Sequence, residues 1–170
     1  SAASAGSQRM DWGNPDGSNS QYGVLGFQAI ANEGIDVPAA AWTMMDNFWR
    51  NDQRPDGTFG YVIGATDQRP AITAAGLASL FIPTRELDTH ISLVPREDKA
   101  ITTGLAALAS GFNPDSGDTY YGYGLTRVGL ASGRKFFGDH NWFRELAAAT
   151  INRQGADGTF SGGFYDSGKS

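Results

Sequence analysis

An aspartyl-glycine turn recurs along the chain and constrains the fold more than any other feature of the sequence. The four copies are residues 14–17, 54–57, 113–117 and 155–158. Two copies belong to longer matching segments that lie 101 residues apart (154 minus 53), and we name them the Gln53 turn (residues 53–59) and the Gln154 turn (residues 154–160). Their shared residues are Gln53, Asp56, Gly57 and Phe59 in the first and Gln154, Asp157, Gly158 and Phe160 in the second. Self-similarity at a fixed spacing predicts a repeat architecture.

The same spacing holds upstream of these turns. Tyr22-Gly23-Val24 aligns with Tyr123-Gly124-Leu125, and Trp42 aligns with Phe143, without a gap. A more divergent copy, Ala75-Gly76-Leu77, lies between them at 53 and 48 residues (76 minus 23 and 124 minus 76). The sequence therefore predicts three repeats of about 50 residues, at about 19–66, 70–118 and 119–165.

Each repeat divides into two segments with apolar residues at helical spacing. The predicted helices cover residues 20–34, 36–54, 71–82, 96–111, 120–133 and 142–151. We expect Asn19 or Ser20 to cap the first, Asp36 to open the second, Pro83 to interrupt the third and Asp139 to cap the last. The first helix of each pair is rich in Gly and Ala, which permits close approach, whereas the second carries bulky aromatic residues. These features predict an all-α fold of three hairpins, with small-faced inner helices and aromatic outer helices.

Composition narrows the class of protein. A chain of 170 residues predicts one domain, with residues 1–18 as a flexible N-terminal segment and first turn and residues 19–170 as the repeat domain. The net charge of -5 and scattered basic residues argue against nucleic-acid binding. Because no continuous apolar run reaches the length of a membrane span, we expect a soluble protein. The small residues at the start fit an exported or periplasmic protein, a linker or a cloning scar, and the compartment stays open.

Several segments resemble a known family. The Gln-x-x-Asp-Gly-Thr-Phe segments resemble the repeats of squalene and hopene cyclases, with Phe59 and Phe160 where those repeats carry Trp. The segments at residues 18–23, 120–125 and 133–142 resemble planctomycete-type cyclase-like repeat proteins. This resemblance, over about residues 11–165, implies the α/α toroid of terpenoid cyclases and protein prenyltransferases. Such a toroid has about twelve helices, so this chain would form half of one. Either it is part of a longer protein, or another protein chain or a second copy completes the ring, or an open crescent exists alone; we expect association or further sequence.

The resemblance also implies which catalytic groups to expect. Class II cyclases use an Asp-x-Asp-Asp motif, prenyltransferases hold zinc with Asp, Cys and His, and thioester toroids need a Cys. The chain has no such aspartate spacing and no cysteine, so we expect neither a metal nor a cofactor. The remaining weak candidates for a catalytic or binding role are Asp115, Asp118, Tyr120, Tyr123 and Arg127. Turn formation is the favoured role of the two aspartates, and packing is favoured for the tyrosines.

Two histidines can titrate near neutral pH, His90 and His140, and we expect structural roles for both. The first functional hypothesis is a non-catalytic cyclase-like repeat domain that acts as a protein-binding or assembly module. The alternative is an enzyme, or part of one, that acts on an isoprenoid or a polysaccharide in a toroid cavity. An apolar, aromatic lining would favour an isoprenoid, a polar lining rich in Tyr would favour a glycan, and a filled centre would favour a structural role.

Overall fold

The computed structural model describes residues 15–67, 69–88 and 98–160, which are mainly helical. The helices are α1 Gly17–Asn32, α2 Ala39–Asp52, α3 Pro70–Leu87, α4 Lys99–Ser110, α5 Thr119–Ser132 and α6 Trp142–Asn152. A short 3₁₀ turn, Pro114–Ser116, precedes α5. The described residues contain isolated β-bridges but no strand. For this part of the chain, the all-α prediction with six helices is confirmed.

Helix α3 lies at the centre of the packing, against α1, α2, α4 and α5. It is buried from Ile72 to Pro83 apart from the partly exposed Phe81. A helix that is apolar all round must be covered on every side. The three helices predicted to be inner, α1, α3 and α5, are neighbours, because α1 and α5 both pack against α3. Helix α6 packs against α5. The half-toroid itself stays a prediction.

Close approach at glycines is found in α3 and α5 but not at Gly23 and Gly26 of α1, where an added Cβ atom would meet none of the described residues within 4 Å. A Cβ atom added to Gly76 in α3 would lie 2.6 Å from the ring of Phe59. One added to Gly124 in α5 would lie 2.8 Å from the Cβ atom of Ala74. Gly is about 1 kcal/mol less favourable than Ala in a helix interior. At these two positions that cost is offset by packing that no larger residue allows.

The start of α1 differs from the prediction. Asp16, not Asn19 or Ser20, is the N-cap, and its Oδ1 accepts a hydrogen bond from the Asn19 backbone N–H at 2.8 Å. Since a capping side chain immediately precedes the first helical residue, the helix begins at Gly17. Helix α2 likewise begins at Ala39 rather than at Asp36.

The start of α6 also differs. Asn141 is the N-cap and accepts from the Arg144 backbone N–H at 3.2 Å. Asp139, the predicted cap, lies instead in a tight turn in which the backbones of Phe137 and His140 exchange two hydrogen bonds of 3.0 Å. This turn holds Asp139 two residues before the cap position, so it cannot bond to the first turn of the helix.

Helix α3 is not interrupted at Pro83 but continues to Leu87. Proline inside a helix removes one backbone hydrogen bond and costs about 3 kcal/mol. Pro83 is buried in the centre of the fold, where the apolar contacts of α3 oppose that cost. The Thr84 hydroxyl also donates to the Leu80 carbonyl at 2.8 Å, which bonds one carbonyl of the last turns. Tertiary packing therefore overrides the helix-breaking effect of this proline.

The alignment of Trp42 with Phe143 does not hold in burial. Trp42 has 5% of its surface exposed, whereas Phe143 has 67% exposed. The buried aromatic residue of α6 is Trp142, whose indole Nε1–H donates to the Arg134 carbonyl at 2.7 Å. Its ring also packs against Gly129, where an added Cβ atom would lie 2.2 Å away. The aromatic residue of α6 that packs inward is therefore one position earlier than the spacing of 101 residues predicts.

Candidate functional site

The two candidate aspartates shape the chain before α5. Asp118 is the N-cap of α5, and its Oδ1 accepts from the backbone N–H groups of Tyr120 and Tyr121 at 2.9 and 3.1 Å. Asp115 is exposed in the 3₁₀ turn. Asp115 therefore lies in the predicted turn, whereas Asp118 is a helix cap, a role that the sequence did not predict for it.

Tyr120 bridges two helices instead of facing an open cavity. It is buried, and its hydroxyl donates to Oε1 of Gln21 in α1 at 2.6 Å. Burial raises the pKa of Tyr120 well above its usual value, so the phenol is neutral at physiological pH. Gln21 is buried as well, which means that the space between α1 and α5 is filled at this level. Tyr123, by contrast, is exposed.

Arg127 lies higher along the same pair of helices, in a cleft of about 580 Å³. Its guanidinium donates to Oε1 of Gln28 in α1 at 2.6 Å. Two further arginines, Arg85 and Arg134, line the cleft, together with Asp88 and Asp98. Of the five candidate residues, Arg127 is the one that faces this cleft. The rest of its lining is largely apolar, with Phe81, Ile82 and Leu130 among its residues, and contains no Tyr.

An ion-pair network that the sequence did not predict lies beside this cleft. The guanidinium of Arg50 in α2 binds both carboxylate oxygens of Asp98 at 2.6 and 3.0 Å and one oxygen of Asp46 at 2.7 Å. These hydrogen bonds lower the pKa of Asp98. Asp98 also caps α4, so this single carboxylate joins the start of α4 to α2. The spacing of Asp46 and Arg50, four residues apart, was the one local signal for this network.

The two long turns have the same internal geometry. Asp56 Oδ1 accepts from the Thr58 backbone N–H at 3.0 Å and from its hydroxyl at 2.7 Å, and Asp157 makes the same two bonds, at the same lengths, with Thr159. These bonds to threonine lower the pKa of both aspartates.

The backbone of the two turns also matches. Gly57 and Gly158 have φ angles of 86° and 83°, a left-handed conformation that glycine adopts without strain. The side-chain amide of Gln53 donates to the Gly57 carbonyl at 3.3 Å, and that of Gln154 donates to the Gly158 carbonyl at 3.1 Å. The recurrence in sequence is thus a recurrence in structure.

Their surroundings are different. The Gln53 turn is covered by the following helix pair, because Phe59 is 0% exposed and packs against Gly76 in α3. Its Gln53 amide also donates to the Ala100 carbonyl in α4 at 2.8 Å. An added Cβ atom at Gly57 would lie 2.3 Å from the Thr103 carbonyl oxygen, so the turn lies directly on the backbone of α4.

The Gln154 turn has none of these contacts among the described residues. Phe160 is 53% exposed, and no hydrogen bond is described from Gln154 to another helix. Another exposed apolar residue, Ile151, lies in the last turn of α6, and its carbonyl accepts from the Gln154 backbone N–H. We name this pair, Ile151 and Phe160, the open end.

Of the two histidines, the structure describes His140. His140 Nδ1 lies 3.0 Å from Glu145, and its ring stacks on Phe112, in agreement with the expected structural role. His90 lies outside the described residues. In residues 15–67, 69–88 and 98–160, no group of three His, Cys, Asp or Glu side chains could hold a metal ion. No helix in that part of the chain is both long and apolar enough to cross a bilayer.

Comparison with known proteins finds no matching family model, curated protein or solved structure. The resemblance to the cyclase repeats therefore stays a prediction.

Proposed function

We propose that the chain is a non-catalytic, cyclase-like helical repeat domain that acts as a protein-binding or assembly module. The observation that carries the proposal is the contrast between the two long turns. They share a sequence and a hydrogen-bond pattern, yet one is buried under a following helix pair and the other is exposed. The natural occupant of the open end is a helical segment of a polypeptide.

The physical argument begins with the cost of exposure. A phenylalanine side chain gains about 1.5–3 kcal/mol on complete burial. Phe160 forgoes much of that gain, and so does Ile151 in the last turn of α6, just before the Gln154 turn. Repeat proteins normally cover their terminal faces with polar residues, and exposed apolar patches mark interaction sites. The open end has the character of a contact surface.

The interior supports a structural role more than a catalytic one. Tyr120 and Gln21 fill the level at which α1 and α5 meet. The remaining cleft mixes apolar residues with three arginines and two aspartates and has Phe81 as its one aromatic residue, so it is neither the aromatic lining that an isoprenoid would require nor the tyrosine-rich lining that a glycan would favour. The candidate carboxylates Asp115 and Asp118 serve the turn and cap before α5.

Site-specific photo-crosslinking tests the proposal. A benzophenone amino acid is placed at position 160, and the cells that make the protein are irradiated. Peptide sequencing of the adducts should identify a helical segment of a defined protein chain.

The matched control places the same probe at Phe136, which is also exposed but lies in the loop before α6, at the other end of that helix. Equal yields of protein adducts from the two positions would refute the proposal. Adducts obtained only with small molecules would refute it as well.

A further inference from the structure

The covered turn shows what kind of surface receives a turn of this sequence. Phe59 lies against Gly76, on a stretch of α3 where the absence of a side chain lets the ring approach the helix backbone. The interaction has two parts, an aromatic ring from the turn and a glycine on the receiving helix. Phe160 supplies the first part again at the open end.

The second part is repeated in α1. Gly23 aligns with Gly76 in the sequence, and the residues that follow them, Val24 and Leu77, are both buried. The two glycines therefore occupy equivalent places on their helices. Among the described residues, a Cβ atom added to Gly23 would meet nothing within 4 Å, in contrast to the 2.6 Å contact at Gly76. No ring from this part of the chain occupies the equivalent position on α1.

The surface around Gly23 is suited to an apolar contact. Tyr22, Phe27 and Ile30 are exposed on α1. The helix sequence from Gly17 to Asn32 contains no charged residue, so covering it does not require any of its side chains to lose a solvated charge. We name this surface, Tyr22, Gly23, Phe27 and Ile30, the α1 face.

We propose that a second copy of this chain covers the open end, with Phe160 of one protomer packed against Gly23 of the next. The inference rests on the proposed function and names the partner. In the described part of the chain, Phe160 is an exposed ring in a turn of this sequence and Gly23 is an uncovered glycine aligned with Gly76, so the two parts that pair within the chain are both present again. A contact between two different surfaces is head-to-tail, and it either closes into a ring or extends as a filament. A closed pair would unite twelve described helices, six from each copy.

Sedimentation velocity over a range of protein concentrations tests the inference with three proteins. The wild-type chain, whose protomer mass is 18.1 kDa, should form larger species as its concentration rises. Phe160→Ser removes the ring, and Gly23→Leu fills the receiving position. Loss of a central aromatic contact typically weakens an interface by about 30-fold or more, so each variant should remain a protomer at concentrations where the wild type associates.

A mixture of the two variants gives the sharpest result. Gly23→Leu retains Phe160, and Phe160→Ser retains Gly23, so one native contact can form between them. The mixture should yield a heterodimer and stop there, because the two remaining surfaces are both altered. Far-UV circular dichroism checks that each variant keeps the wild-type helix content, as expected for changes at exposed positions.

The outcomes separate this inference from the proposed function. A wild-type chain that stays a protomer, together with crosslinks from position 160 to a different protein, would overturn the second-copy inference and leave the proposed function standing. Crosslinks to other residues of the same copy, or none to any protein, would overturn both. Association of both variants as strong as that of the wild type would also overturn the second-copy contact.

Discussion

Truncation of the same phenylalanine in the two long turns should have very different effects on stability. The paired variants are Phe59→Ala and Phe160→Ala, which make the same chemical change in the same local backbone geometry. Because the first ring is 0% exposed and the second 53% exposed, only the first truncation removes complete burial. The comparison cancels the intrinsic effect of the substitution on the turn.

The expected magnitude follows from packing. Phe59 contacts the backbone of α3 at Gly76 and meets the ring of Trp49 edge-on, with 5.9 Å between ring centroids. Removing a buried phenylalanine ring costs about 3–5 kcal/mol of unfolding free energy, through lost transfer energy and the cavity that remains. For a chain of this length, that loss lowers the melting temperature by about 6–20 °C. Truncating Phe160 should change the stability of the protomer by about 0.5 kcal/mol or less.

Urea denaturation followed by far-UV circular dichroism measures both values, at a protein concentration low enough to exclude association. The wild-type slope with denaturant must be retained for the free energies to be compared. If Phe160→Ala costs as much as Phe59→Ala within about 1 kcal/mol, the Gln154 turn is covered by the chain itself. In that case the open end is not an exposed contact surface.

Three further predictions concern the helices. Gly23→Ala should stabilise the protein by up to about 1 kcal/mol in urea denaturation, because its Cβ atom meets none of the described residues. Gly76→Ala should destabilise the protein by about 1–3 kcal/mol through overlap with Phe59. Effects of the same sign would contradict this prediction. Asp98→Asn should keep the α4 cap but lose the charge pair with Arg50, and Asp98→Ala should cost about 1 kcal/mol more in the same assay. The lowered pKa of Asp98 means that its stabilising effect is present above the unfolded carboxyl pKa and is lost as pH falls through the folded value. Asp52 has the opposite effect on stability, because burial raises its pKa and its charged form is penalised at neutral pH. Asp52→Asn should therefore raise the melting temperature at pH 7 but not at pH 3. An equal rise at both pH values would refute the raised pKa of Asp52.

The sequence was most informative where structure is set by local chemistry. The Asp-Gly-Thr turns fold as their residues require, since Asp56 and Asp157 bond to the next threonine and a glycine supplies the positive φ angle. The helix pairs and the close approach at Gly76 follow from spacing and residue size. These features depend on a few neighbouring residues and can be read along the chain.

Features that depend on distant parts of the chain could not be predicted. Pro83 remains helical because the centre of the fold buries it. Trp142 rather than Phe143 faces inward because Gly129, on another helix, leaves room for the indole ring. The bond between Arg50 and Asp98 joins residues 48 positions apart, and no local pattern indicates it.

The candidate site was predicted only in part for the same reason. Asp118 and Tyr120 lie two positions apart in the sequence, yet one caps a helix while the other reaches Gln21 across the fold. The motif marked the two long turns correctly, but their difference in exposure depends on which helices follow each of them. The covering of one copy and the exposure of the other are properties of the tertiary structure.

The central position of α3 has a consequence for the order in which the protein matures. Its apolar residues are covered by α5 as well as by α1, α2 and α4, so a nascent chain that has not yet delivered α5 from the ribosome leaves α3 incompletely shielded. The hairpin of α5 and α6 must therefore be synthesised before the middle hairpin is enclosed. Complete burial of α3 is thereby delayed until α5 has left the ribosome.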